Sequence, residues 1–119
     1  MQKYRDLQVY MKSYAIAKEM YQLANTLPSE ERYGLISQVK RAATSIPLNI
    51  AEGYGKESGA KETLRFLQMA RGSCAEMEVL IDFLKDFGYI NPEEYHEKME
   101  RYNEIGKMLT GLMKFLKDS

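Results

Sequence analysis

YGLISQVKRAATSIPLNIAEGYG, residues 33–55, combines an amphipathic helix, an internal proline and a glycine stop in one short stretch. Laid out at about 100° per residue, Leu35, Val39, Ala42, Ala43, Ile46 and Ile50 share one side, and Ser37, Arg41, Ser45, Asn49 and Glu52 share the other. The polar stripe is unusual. A merely solvated face would carry Lys, Glu and Gln, whereas Ser and Asn compete with the helix for backbone hydrogen bonds. Two readings follow: a face packed against another helix or subunit, or an ordinary wet surface.

Working outward, the upstream helix is expected from about Asp6, an acceptable N-cap, to about Thr26, with Val9, Ser13, Ile16, Met20, Leu23 and Leu27 turned inward. Pro28 stops it, and Ser29, Glu30 and Glu31 suit the start of the second helix, with Gly34 delaying regular structure. Pro47 removes the hydrogen bond to the Ala43 carbonyl and predicts a kink or interruption near Ser45. Gly53 and Gly55 end this helix, and Ser58 or Gly59 caps the next.

The third helix is expected over about Ala60 to Phe87. Phe66, Ala70, Cys74, Met77, Ile81 and Leu84 lie on one face, with Met69, Ser73, Leu80, Phe83 and Phe87 beside it. Its later turns are apolar on nearly two sides, which fits a helix central in its bundle and also covered by another subunit. After Gly88, Asn91 and Pro92 followed by Glu93 and Glu94 mark a fourth helix, which turns Tyr95, Met99, Tyr102, Met108, Leu109, Leu112 and Leu116 inward. The expected fold is all-α: one domain, residues 1–119, forming an antiparallel up-and-down four-helix bundle kinked at Pro47.

Composition limits the function. The 17 basic and 17 acidic side chains cancel, so no global field draws in nucleic acid or an anionic membrane. Residues 1–56 nevertheless hold 8 basic and 5 acidic side chains, against 9 and 12 in residues 57–119, a hint of a local basic face. Cys74 is the single cysteine, which excludes an intrachain disulfide and fits a reducing cytoplasm. No membrane-length apolar run or signal-peptide core is present, so a soluble cytoplasmic protein is expected.

Catalytic chemistry finds little material. His96 and Cys74 are each unique, too few for a zinc cluster, and read as a surface histidine and a buried thiol. GYGKES, residues 53–58, lacks the strand and spacing of a phosphate loop and reads as helix punctuation. The alternative is a single phosphate held by Lys56 and the amides opening the third helix. Glu62 and Glu76 have Arg41, Arg65 and Arg71 within reach as partners, favouring a structural ion network over acid–base catalysis. The expected network joins Arg41, Ser45 and Asn49 of the second helix to Glu62, Arg65, Ser73 and Glu76 of the third. Tyrosines beside cations can stack on unpaired bases; Tyr33 and Tyr54 are the candidates for exposed rings.

RDLQVY near the N-terminus, YGLISQVKRAATSIPLNIAEGYGKES, and LRFLQMARGSCAEMEVL in the third helix together resemble the bacterial four-helix-bundle family associated with intervening sequences in 23S ribosomal RNA genes. The resemblance covers about Arg5 to Ile90. It implies a closed homopentamer without enzymatic activity or cofactor, similar to the accessory protein of diversity-generating retroelements, which binds nucleic acid and a reverse transcriptase. That protein is markedly basic, whereas this chain is neutral. Matching the motif residue by residue points to Arg41, Ser45, Pro47, Asn49, Glu52, Gly53, Arg65, Phe66, Gly72, Ser73 and Glu76. The expected partners are further copies of the chain and structured or ribosomal RNA met through Lys40, Arg41, Tyr54 and Lys56; the alternative is a protein partner met by a scaffold that never touches nucleic acid.

Overall fold

The computed structural model describes residues 4–55 and 59–118. Four helices carry the fold: α1 (Gln8–Ala24), α2 (Ser37–Gly55), α3 (Ala60–Asp86) and α4 (Pro92–Asp118), in a body of 45 × 23 × 20 Å. Each helix packs on its sequence neighbours, and α4 returns to α1. Cross-helix contacts run in opposite senses. Lys12 meets Glu104 and Glu19 meets Lys98; Arg41 meets Glu76 and Gly53 meets Thr63; Tyr95 meets Asp82, and Cys74 meets the Tyr102 carbonyl.

The core follows the apolar stripes. Ile16, Met20, Ile46, Ile50, Leu67, Met77, Ile81, Leu84, Tyr102, Ile105 and Leu109 are essentially inaccessible, at about 1.5–3 kcal/mol of transfer free energy for each fully buried large side chain. On α3, Leu67 takes the inward position expected of Phe66, which stays half-buried. Ile105 and Gly106 form the buried centre of α4, whereas Tyr95, Met99, Met108, Leu112 and Leu116 flank it half-buried.

Helix boundaries depart from expectation where local chemistry competes. Asp6 closes a 3₁₀ turn, Tyr4–Asp6, and does not cap α1, which Leu7 precedes without a side-chain cap. The Leu7 amide donates to the Tyr4 carbonyl at 3.1 Å, and the Tyr4 ring meets Tyr10 edge-on, so the turn closes itself. Between α1 and α2 lie a 3₁₀ turn, Ser29–Glu31, and a wide turn, Arg32–Ile36, broken at Gly34 (φ −111°, ψ −108°). The second α-helix therefore begins at Ser37. It is not interrupted at Pro47 but continues to Gly55.

The other punctuation has a clear cause. Gly59, with φ +87°, precedes α3 in a conformation that L side chains rarely adopt; Ser58 lies outside the described residues. Gly88, with φ +80°, ends the turn after α3. At α4 the Glu94 amide donates to Asn91 Oδ1 (2.8 Å) and the Asn91 amide to Glu94 Oε1 (3.1 Å), a reciprocal cap.

Candidate functional site

The polar stripe of α2 faces α3 along a single seam. At one end the Arg41 guanidinium donates to Glu76 Oε2 (2.6 Å) and Gln38 Oε1 (3.0 Å). One turn on, Ser45 Oγ and Ser73 Oγ share a hydrogen bond of 2.8 Å, with Ser73 only 7% exposed. Asn49 stays on its own helix, donating to the carbonyl and hydroxyl of Ser45 (2.9 and 3.0 Å). At the far end Thr63 Oγ1 donates to the Gly53 carbonyl (2.8 Å), and a methyl added at Gly53 would lie 3.1 Å from Phe66 Cβ. Small side chains on α2 are thus where α3 comes closest.

The expected network is smaller than its residue set. Glu62 pairs with Arg65 one turn along α3 (2.6 Å), and Arg65 lies over the Phe66 ring, so neither reaches Arg41. Glu62 and Glu76 are fourteen residues apart on one helix, about 21 Å, which excludes a shared acid–base site. Both are substantially solvated, their side chains 38% and 47% exposed. Ser37 is exposed at the first residue of α2, and Glu52 is half-buried near its end.

The residues expected to face nucleic acid do not form one open cluster. Lys40 is half-buried with its ammonium 4.3 Å above the Tyr21 ring, and Arg41 is committed to Glu76. Tyr54 is half-buried against the core, and burial raises its hydroxyl pKa, contrary to the expectation of an exposed ring. Tyr33 is 88% exposed. Lys56 lies outside the described residues.

The single thiol is sequestered. Cys74 is fully buried on α3 and donates to the Tyr102 carbonyl at 3.1 Å. Burial, then the nearby charge of Glu78, pushes its pKa up to about 11, so it holds almost no thiolate at neutral pH. Tyr102 is also fully buried, and its hydroxyl finds no partner among the described residues. His96 is exposed, and among the described residues no group of three His, Cys, Asp or Glu side chains could hold a metal ion.

One feature escaped the sequence. Glu19 of α1 receives hydrogen bonds of 2.8 Å from both Lys98 and Arg101 of α4, and Glu97 pairs with the same two cations. The Arg101 hydrogen bond leads in holding the Glu19 carboxyl at about 2, against the opposing effect of burial. The Glu97–Arg101 spacing of four was readable on a helix, but nothing local pointed Glu19 at them. The second apolar stripe expected on α3 is left bare: Met69, Phe83 and Phe87, joined by Val79, are 46–57% exposed on one arc, with the small residues Gly72 and Ala75 between them.

These observations define a class: a small all-α bundle with a sealed thiol, a polar interhelical seam and uncovered apolar side chains on one helix. The family model described as 23S rRNA-intervening sequence protein matches residues 5–111, and the chain belongs to that family. The match continues through most of α4, well past the Ile90 limit of the quoted motifs. The chain is also similar to a protein of unknown function from the S23 ribosomal protein family of Bacteroides thetaiotaomicron. The two share 29% identity over 89% of this chain and 98% of that one, with a TM-score of 0.81. No curated protein matches it. Among the described residues no helix is long and apolar enough to cross a membrane.

Proposed function

We propose that this chain is a non-enzymatic bundle that self-associates through the outer face of α3 and binds structured RNA. The observation that carries the reading is the α3 arc. Phe83 and Phe87 meet at 5.7 Å with their rings tilted and, with Val79 and Met69, leave large apolar surfaces in water along five turns of one helix. Such an unpartnered stripe is the mark of a contact surface. A closed ring, pentameric by the family resemblance, would cover it on every copy if the surface opposite is a different one.

The test is the mass of the purified chain by light scattering and sedimentation. A defined oligomer is expected, and Phe83→Asp should shift it toward monomer; a monodisperse monomeric parent retires the assembly. RNA binding is tested by fluorescence anisotropy with ribosomal RNA fragments over a salt series, where a steep negative slope signals phosphate contacts.

A second reading has its own support. Arg41 is neutralised by Glu76 and the net charge is zero, which suits a scaffold for a partner protein. A pulldown that remains rich in one protein after nuclease treatment, together with no RNA binding at low salt, favours that reading.

A further inference from the structure

The groove between α1 and α2 has a composition that neither the core nor the α3 arc shares. Its cavity of about 420 Å³ lies within the range of clefts that hold small organic groups, roughly 300–1,000 Å³. Its walls are tyrosine rings from α1 and the turn before it, facing Pro47 and Leu48 of α2. Tyr10 stacks on Tyr14 at 5.8 Å and 25°, and Tyr4 meets Tyr10 edge-on at 5.0 Å. Tyr14 and Tyr21 remain 48% and 43% exposed, and Leu48 65%.

Three cations border this row, and each rests on a ring: Arg5 at 4.9 Å from the Tyr4 centroid, Lys18 at 5.1 Å from Tyr14, and Lys40 at 4.3 Å from Tyr21. Among the described residues no carboxylate lines the cavity. On the opposite flank of α1 the cations instead meet acids, Lys12 on Glu104 and the Lys98–Arg101 pair on Glu19. Among the described residues the groove therefore keeps its positive charge unneutralised by acid, beside half-exposed tyrosine rings. An apolar protein surface would use the rings and leave the ammonium groups without a match.

We propose that this groove binds an unpaired stretch of RNA, its bases stacking on Tyr14 and Tyr21 in place of the Lys18 and Lys40 ammonium groups, which swing to its phosphates alongside Arg5; the inference rests on the RNA reading above and gives it a site. Tyr14 and Tyr21 are two helical turns apart, about 10 Å, close to three steps of a stacked strand at about 3.4 Å each. Lys18 lies between them on α1 and lines the same groove. Stacking on rings tolerates any base, so the site reads single-strandedness and not sequence.

The experiment compares a fluorescein-labelled twelve-nucleotide oligouridylate with a twelve-base-pair RNA duplex, using the full chain in its native oligomeric state. Binding of the single strand in preference to the duplex is expected. Tyr14→Ala and Tyr21→Ala should each weaken it about tenfold, the scale of one lost stack, and Lys18→Gln should lower the salt slope by about one. Leu48→Glu, on an exposed side chain that the fold does not need, places a carboxylate in the groove and should abolish binding even if a tyrosine variant misfolds.

Equal affinity of wild type and Leu48→Glu for the single strand would overturn the site while leaving RNA binding elsewhere intact. No RNA binding by wild type at low salt would remove both the site and the RNA reading. A change of oligomer mass in Leu48→Glu, with RNA affinity unaltered, would assign the groove to a second copy of the chain and overturn the proposal.

Discussion

The α2–α3 seam and the α1–α4 seam join neighbouring helices by opposite means. Along α2–α3 the helices come close because Ser45, Gly53, Thr63 and Ser73 are small, and their hydrogen bonds form within the contact. Along α1–α4 the helices meet more sparsely, and long side chains bridge them at the rim: Lys12 to Glu104, and Lys98 and Arg101 to Glu19. Close packing of short polar groups fixes geometry and tolerates no added volume. Solvated ion pairs at the end of flexible chains contribute less and yield more readily.

The largest effect that sharpens this contrast is at Gly53. A methyl there meets Phe66 Cβ at 3.1 Å and the Thr63 carbonyl at 3.4 Å, both held by α3 itself. Gly53→Ala is expected to destabilise by about 1–2 kcal/mol, overpacking outweighing the helix-propensity gain of up to about 1 kcal/mol. Gly106→Ala on α4 is the control. Its methyl meets the Arg71 guanidinium at 3.1 Å, the far end of a chain that can swing away, so urea midpoints should show no loss or a small gain. Equal destabilisation by both would break the distinction.

A smaller effect belongs to the ionic seam and depends on pH. Glu19 titrates at about 2 in the folded chain against 4.5 ordinarily, Arg101 being the leading cause. A depressed carboxylate contributes stability that is present above pH 4.5 and lost as the pH falls through about 2. With the Glu19 side chain 44% exposed, solvent screening reduces the contribution to about 1 kcal/mol. Glu19→Gln should therefore cost that much at pH 7, and urea melts should show its difference from the parent closing between pH 4.5 and 2. A pH-independent difference would mean the ion cluster contributes nothing.

The two seams also differ in how legible they were. Residues 33–55 marked both faces of α2, because apolar and polar residues separate cleanly at helical period and the short polar ones imply a close neighbour. Asn91, Pro92 and Glu94 announced α4 by local hydrogen-bonding chemistry alone, and Gly59 and Gly88 fall where positive φ is needed. Pairing at a distance was not legible: Glu19 and Arg101 are 82 residues apart, and only the closing of α4 onto α1 joins them. Tyr54 misled for a related reason, since its place at a helix end suggested exposure while packing against the core covers it. Asp6 misled because an aromatic contact between Tyr4 and Tyr10 settled the turn before a cap was needed.

The smallest expected effect asks whether the α2–α3 seam has an ionic part at all. Arg41 and Glu76 meet at 2.6 Å, yet their side chains are 52% and 47% exposed, which places the pair among surface salt bridges of about 0.5 kcal/mol. A double-mutant cycle of Arg41→Ala and Glu76→Ala, read from urea midpoints, is expected to show coupling of that size, falling in 1 M salt. Ser73→Ala, by contrast, removes a hydrogen-bond partner of Ser45 at a partly buried site and should cost about 1 kcal/mol regardless of salt. If instead the Arg41–Glu76 coupling is large and salt-insensitive, the pair is shielded in the native assembly. Glu76 lies on the same arc of α3 as Gly72, Val79 and Phe83, so that shield would be a neighbouring copy seated on α3.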